Sequence, residues 1–458
     1  MVRSTLFRLF LFLFWILLTG SCSQKFQRVT LFLQNPADIE YPDAPVVIPR
    51  AAFQISDTSL LPIIVDKAGN YVPCQNDDLN GDGVWDHLAF TYDFDRLDSL
   101  SLYIEWLPRE EFPRFEKRTN IRFAKQVAPK APLKEFTMDY HTYDLTPLRT
   151  FNPYQLEGPS WENDKIGFRH RFDGSNIYSV MGKKSKTMVL DSVGILPNGE
   201  VGDTYHEMHD WGMELMDVSN QTGFGGISLL TSGKHLRLGA AEGFNTDNVD
   251  TTYYTLIAEG PVRSMLRLDY KGWDTGNGKM NLTQYITIWA GQRYYKSVLI
   301  PQELPDSVHL ITGIPLKGKK NKSEEEQRNE ALNLRRYETG YIAMMTHEIQ
   351  SAGYPYYLGM ALIIPQENYV RSFKPAPTHS KEFKEQWSAM LKPDRKGTVT
   401  YYVTGAWELE DEGFKSADYF VRFIGNEVIR FSHPIKWKIT GEDLTVPIVF
   451  SHEFNEVF

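Results

Sequence analysis

The chain predicts a mostly β protein, with a small N-terminal β-sandwich followed by a larger sandwich of stacked sheets. Three observations carry this. Short runs rich in β-branched and aromatic residues recur, each bounded by clusters of Pro, Asn, Asp or Gly. The longest run, Leu282 to Ala290, sets Leu282, Ile286, Ile288 and Ala290 on one face and Thr283, Tyr285, Thr287 and Trp289 on the other. Both faces therefore read as at least half buried, as in packed sheets. Aromatic residues make up 13% of 458 residues, including 24 tyrosines and 10 tryptophans, a bias that suits pleated, half-buried surfaces.

Taken in order, the first element is an export signal. Arg3 and Arg8 precede the apolar run Leu9 to Leu18, which ends at Thr19-Gly20-Ser21-Cys22. Small residues before a cysteine read as a lipoprotein signal over residues 1–22, with cleavage before Cys22 and lipid on its thiol. The alternatives are an ordinary cleaved signal or an uncleaved anchor. On the lipoprotein reading the protein is exported and held on the outer membrane by lipid alone, in the periplasm or at the cell surface. Which leaflet carries it, and in what oligomeric state, the sequence leaves open. With Cys22 lipidated, Cys74 has no partner, so stability must come from a large core rather than from a disulfide.

The next runs, Arg28 to Leu33, Val46 to Arg50, Leu60 to Asp66, Trp85 to Phe94 and Leu100 to Trp106, form the small β-domain, residues 23–130. Lys125 to Lys134 reads as a connector, and residues 131–458 as the larger sandwich. Helices are few. Ser323 to Arg336 is charged with little apolar stripe and reads as a surface excursion, while Lys381 to Leu391 and Phe414 to Arg430 read as amphipathic helices. The formal charge of −9, made more negative by loss of Arg3 and Arg8, argues against electrostatic capture of nucleic acid.

Asp78-Leu79-Asn80-Gly81-Asp82-Gly83-Val84-Trp85-Asp86 has oxygen side chains at alternate positions, a glycine at the turn and a later acid. That order of Asp78, Asn80, Asp82 and Asp86 suits a structural Ca²⁺ ion. It is not an EF-hand, because Ala89 occupies the twelfth position. The other reading is an Asx-rich turn held by its own side chains.

Two further runs mix rings, acids, bases and amides as a sugar site requires: Trp161-Glu162-Asn163-Asp164-Lys165 and Tyr205-His206-Glu207-Met208-His209-Asp210-Trp211. Trp161 and Trp211 are candidate stacking platforms, and Glu162, Asn163 and Lys165 candidate polar contacts. Because Ile166 to Arg169 begins a strand, at most half of the first run should face any shared site. His206 and His209, three apart, raise a zinc reading, but no third ligand is evident. Beside Tyr205 and Asp210 they read better as proton-transfer groups, with one of the pair structural and no cofactor for catalysis.

Glu157 to Arg169, the Tyr205 to Gly212 run, the Asp78 to Asp86 loop and Tyr285 to Arg293 together resemble a family of exported bacterial proteins from polysaccharide-utilisation gene clusters, known only as a domain of unknown function. The resemblance covers most of the chain, and the WENDKI run is its most specific part. It implies a galactose-mutarotase-like β-sandwich over roughly residues 130 to 458. It also implies an activity similar to that of dehydratases acting on oligosaccharides of ulvan, a sulfated algal polysaccharide containing uronic acids. Such chemistry removes the C5 proton and the C4 hydroxyl of a terminal uronate, after the sugar's carboxylate has been neutralised. Asn163, Arg169 and Arg293 are candidates for that neutralisation, although both arginines could be structural. Tyr205 or His206 would be the base, and the other, or His209, the acid. The expected partner is an anionic oligosaccharide. The alternatives are a glycoside hydrolase using Glu162 or Glu207 with Asp210 or Asp164, and a non-catalytic sugar-binding lipoprotein.

Overall fold

The computed structural model of the chain describes residues 28–53, 57–128, 130–141, 153–172, 176–216, 222–238, 248–316, 333–349, 354–374 and 386–440. The expected signal sequence and Cys22 lie outside the described residues, as do 323–332 of the charged excursion and 381–385 of one expected helix. Among the described residues no helix is long and apolar enough to cross a membrane.

The smaller sandwich pairs a five-stranded sheet with a three-stranded one. In the first, the strands run in the order Lys436–Thr440, Val29–Gln34, Ser99–Pro108, Leu60–Val65, Tyr71–Val72. In the second the order is Tyr41–Pro49, His87–Phe94, Cys74–Asp77. Period-two alternation decides what is buried: Val29, Leu31 and Leu33 point inward while Phe32 is half exposed. They meet Ile48, Cys74, Leu88 and Phe90 in one core. Every expected strand of this region is present. Its last strand comes from the far end of the chain, where Trp437 and Ile439 join the same core.

The larger sandwich has a nine-stranded antiparallel sheet as one layer. Its order is Met138–His141, Thr251–Glu259, Arg263–Asp274, Lys279–Trp289, Tyr294–Gln302, Val399–Trp407, Tyr357–Pro365, Tyr341–Ile349, Asn333–Tyr337. Two five-stranded sheets form the other layer. One runs Gly212–Glu214, Tyr178–Lys183, Ile166–His170, Ser160–Asn163, Thr119–Arg122, and the other Lys234–Arg237, Ser228–Thr231, Val308–Pro315, Gln386–Leu391, Tyr369–Phe373. Leu266, Leu268 and Ile286 from the nine-stranded sheet share a core with Trp161, Phe168 and Val180 from the first small sheet and Leu310 and Ile314 from the second. Burial on both faces of Leu282–Trp289 follows, with Trp289 packing outward on Val262 and Ala89.

Among the described residues one α-helix, α1 (Ala417–Ser432), begins where the Ser416 side chain accepts a hydrogen bond from the Tyr419 amide. Phe420, Ile424 and Val428, four residues apart, cover Ala343, Met345, Ala361 and Ile363 on the outer face of the nine-stranded sheet. Small side chains there let the helix sit close. The expected helix Phe414 to Arg430 is thus present, with Phe414 in a preceding 3₁₀ turn.

Elsewhere the structure corrects the sequence reading. Gln386–Leu391 is a strand, not the end of a helix: all six residues are buried and pair with strands on both sides. A short apolar run between sheets has the same hydrophobic content as a helix stripe, so periodicity could not separate them. Residues 333–336 of the charged excursion lie in the edge strand Asn333–Tyr337. Lys125 and Lys134 pair across a short antiparallel ladder. The chain has by then entered the larger sandwich, because Thr119–Arg122 already pairs with Ser160–Asn163.

Candidate functional site

Trp161 is fully buried, edge-on to Tyr295 and stacked near Phe168, so it packs the core and offers no face to a sugar. Asn163 is buried at the turn that follows. Its amide nitrogen donates to the carbonyls of Trp289 and Gln292, and its oxygen accepts from the amides of Lys165 and Ile166 at 2.8 and 2.9 Å. Every polar atom of that side chain is used within the fold. Asp164 accepts from the Gly291 amide at 2.7 Å and from Arg118, which also clasps Asp43 of the smaller sandwich at 2.6 and 2.9 Å. Lys165 and Arg293 both engage Glu410, at 3.1 and 2.6 Å. This run therefore ties three parts of the molecule together; Trp161 and Asn163 are corrected from substrate contacts to structural groups, while Lys165 and Arg293 are partly exposed and held by Glu410.

The alternate residues of the same sheet point away from the core and are charged. Glu162 faces Lys183, with which it forms a buried ion pair, and accepts the amides of Val189 and Leu190 at 2.6 and 2.8 Å. Burial pulls the Lys183 ammonium below its usual pKa, and Glu162 opposes that. Glu162 is likewise structural. Beside it, Arg169 is fully buried and forms a bidentate pair with Glu214. Arg169 also donates to Ser179, to Glu157, to the Leu156 carbonyl and to the Tyr205 hydroxyl, the last at 3.0 Å. Burial alone would raise the Glu214 pKa, but the charges of Arg169 and Arg171 outweigh it and hold the carboxyl below its usual range.

Residues 184–211 leave this sheet and return to it, covering the charged face. Leu190, Val193 and Tyr205 pack on Met181 and Leu156 to make a small secondary core, with Trp211 against it. The return is a tight turn in which the His209 amide donates to Gly212 and the Gly212 amide to His209, at 3.0 and 3.2 Å. Gly212 has φ of 134°, and a Cβ there would lie 1.9 Å from the Gly182 carbonyl oxygen. Only glycine fits that re-entry.

The excursion delivers the ionisable groups. Tyr205 is buried with Arg169 over its ring at 4.4 Å. Burial pushes its hydroxyl above the usual tyrosine range, although Arg169 opposes this, so the phenol keeps its proton at neutral pH. His206 is exposed on one side, with Nδ1 at 3.3 Å from Glu214 Oε2 and Nε2 at 3.3 Å from Asp203. His209 stacks on Trp211, ring centroids 6.2 Å apart, and its carbonyl accepts from Lys184 at 3.2 Å. Asp210 is exposed at the turn. The Tyr354 hydroxyl joins the same rim, accepting a hydrogen bond from the Met208 amide at 3.4 Å.

Tyr205, His206 and Arg169 thus come together around Glu214, while His209, Asp210 and Trp211 lie on the adjoining rim. Glu214, Glu157, Arg171, Asp203 and Lys184 complete the cluster and were not singled out from the sequence. Glu157 lies in the resemblance segment. Nothing local marks Glu214, whose place depends on the Met181–Glu214 strand pairing.

The Asp78 to Asp86 loop is separate. Asp78 accepts the amides of Gly81 and Gly83, Asn80 that of Asp82, Asp82 that of Val84, and Asp86 that of Leu79. This is an Asx-rich turn satisfied by its own side chains. Among the described residues no three acidic, histidine or cysteine side chains are placed to hold a metal ion.

Among solved structures, an α-mannosidase from Enterococcus faecalis V583 is similar at 9% identity and a TM-score of 0.44, over 90% of this chain and 46% of its own. A glycosyl hydrolase family 38 protein from Enterococcus faecalis matches with the same identity and TM-score, over 90% and 47%. A protein described as an aldose 1-epimerase, from Klebsiella pneumoniae subsp. pneumoniae MGH 78578, is 8% identical with a TM-score of 0.30, over 67% of this chain and 95% of its own. This chain spans under half the length of the two Enterococcus proteins, and the architecture rests on the strand pairing given above. No curated protein matches the chain. The runs that tie the two sandwiches together and surround Glu214 all fall within residues 33–436, which match one family model, and the chain belongs to that family, the domain of unknown function DUF4861.

Proposed function

We propose that the protein is a carbohydrate-active lyase that dehydrates the terminal uronic acid of polysaccharide-derived oligosaccharides by C4–C5 elimination. The observation that carries this is a solvent-facing imidazole, His206, set against a buried carboxylate, Glu214, beside a phenol that keeps its proton. His206 is the base for the C5 proton: Glu214 orients the ring through Nδ1–H and faces the charge it gains, and Nε2 takes the proton once the sugar displaces the exposed Asp203 carboxylate from it. Tyr205 is the acid for the departing C4 hydroxyl, with Arg169 placed to meet the negative charge left on its oxygen. Arg169 is wholly committed inside the fold and Arg171 is paired with Glu157, so the sugar carboxylate falls to Lys184, exposed at the rim. No metal or cofactor enters these steps.

A hydrolase needs two free carboxylates across the scissile bond. Of those considered, Glu162 is bound to Lys183 and two amides and Asp164 to Arg118 and Gly291, so a hydrolase would have to use Glu207 with Asp210, both exposed on the rim. Export as an outer-membrane lipoprotein, acting beside enzymes that shorten a polysaccharide, belongs to the same proposal.

The test is incubation with uronate-ended oligosaccharides, following ultraviolet absorbance and product mass. Absorbance with loss of one water and no cleavage supports dehydration, and new reducing ends without absorbance refute it in favour of hydrolysis. His206→Ala should lower the rate by about 10²–10⁴-fold. Its melting temperature should change little, because the ring is exposed on one side and its carboxylate contacts are both 3.3 Å.

A further inference from the structure

The outer face of the nine-stranded sheet is covered by α1 at one end and by the smaller sandwich near Trp289. At its Met138–His141 edge two tyrosines are bare: Tyr140 is 59% and Tyr253 44% exposed. Strand register sets them directly opposite each other and continues the row through Asp269 and Thr283. The neighbouring row is Met138, Thr255, Arg267 and Tyr285. The two rings lie 6.2 Å apart at 45°. Beside them, Asp269 accepts from Arg267 at 2.8 Å and from Thr283 at 2.6 Å, so a guanidinium and a carboxylate are held in fixed orientation.

We propose that this edge is a second saccharide-binding surface, on which a hydroxyl-rich polysaccharide chain lies with its sugar faces on Tyr140 and Tyr253 and its hydroxyls toward Asp269 and Arg267. The composition selects that occupant. Rings with polar tips beside a fixed polar pair suit a ligand that is apolar on its faces and polar at its edges. A protein-docking patch needs contiguous apolar area, and Met138 is the single aliphatic side chain of these two rows. The paired Arg267 and Asp269 cancel in charge, so hydroxyls rather than carboxylates are the complement.

This surface is not a subsite of the reaction centre. Tyr254, Leu266 and Leu268 alternate with these residues and point into the shared core. Arg169 and Glu214 lie on the outward face of the opposing layer, so the two surfaces are on opposite sides of the sandwich. The surface would hold a polymer while its ends are processed elsewhere.

Native gels cast with soluble neutral and uronate-containing polysaccharides test this without turnover. Wild-type protein should be retarded by at least one polymer. Tyr140→Ala with Tyr253→Ala should weaken retardation by about tenfold, and Tyr140→Phe should retain most of it. His206→Ala should migrate as wild type, which separates this surface from the catalytic reading. Unchanged retardation in a folded double variant overturns the proposal, as does loss of retardation in His206→Ala alone, or no retardation by any polymer. A double variant that differs only in its sedimentation as a dimer would also overturn it, because the face would then bind a second copy.

Discussion

At the scale of single residues, Glu214 is the centre of the candidate site. It joins a buried arginine to a solvent-facing imidazole, so its loss should be felt twice. Glu214→Gln leaves the Arg169 charge with Glu157 alone and should destabilise the protein by about 3 kcal/mol, as expected for breaking a buried pair. Urea denaturation would measure it. The pH dependence follows from the direction of the shift. The folded-state pKa of Glu214 lies below its unfolded value, so its stabilisation is complete above the ordinary carboxylate range and is lost as pH falls through the lowered value. Melting temperature against pH should show a steep acid limb in wild type and a shallower one in Glu214→Gln. Tyr205 and His206 were legible because the sequence sets them side by side. Glu214 was not, because its contact with them depends on cross-strand pairing. Cys74 is buried, with its thiol pushed up to about 12, and should resist alkylation in the native state.

At the scale of elements, the WENDK run shows how one local pattern supports opposite readings. Ring, acid, amide and base side chains suit a sugar, yet here alternation sends Trp161 into the core and Glu162 onto Lys183. Trp161→Ala should cost about 3–5 kcal/mol of stability. The change should alter turnover only through the folded fraction, which kinetics on folded protein would check. Gly212→Ala should act differently, with a Cβ driven against Gly182 displacing the turn that carries His209 and, through it, His206. Lower kcat together with a clear fall in melting temperature is the expected signature. For the Asp78 to Asp86 loop, calcium remains a proposal. Melting with and without a chelator decides it, and a fall of several degrees on chelation would mean an ion draws these oxygens from the amides. Strands were legible wherever turn residues bounded them. Gln386–Leu391 was missed because its apolar run has no bounding signal within the strand itself.

At the scale of the whole molecule, two sandwiches were foreseeable from length and strand density, but their mutual fastening was not. Arg118 bridges Asp43 and Asp164, and Gln75 of the smaller sandwich accepts the amides of Val262 and Arg263. These contacts join residues far apart in sequence, beyond the reach of periodicity. Ile439→Asp should loosen the smaller sandwich first, since Ile439 pairs with Leu31 in its core. Limited proteolysis should then cut within residues 28–108 before the nine-stranded sheet is touched. The position of Lys436–Thr440 beside Val29–Gln34 also bears on biogenesis. On one side the first strand can pair with Ser99–Pro108 early in synthesis, but its other neighbour is made only near the end of the chain. If the protein is exported as proposed, a chain threaded out amino end first would arrive with that sheet open, its unpaired edge awaiting a strand still on the other side of the membrane. Emergence of the carboxyl-terminal segment then becomes the event that closes the fold.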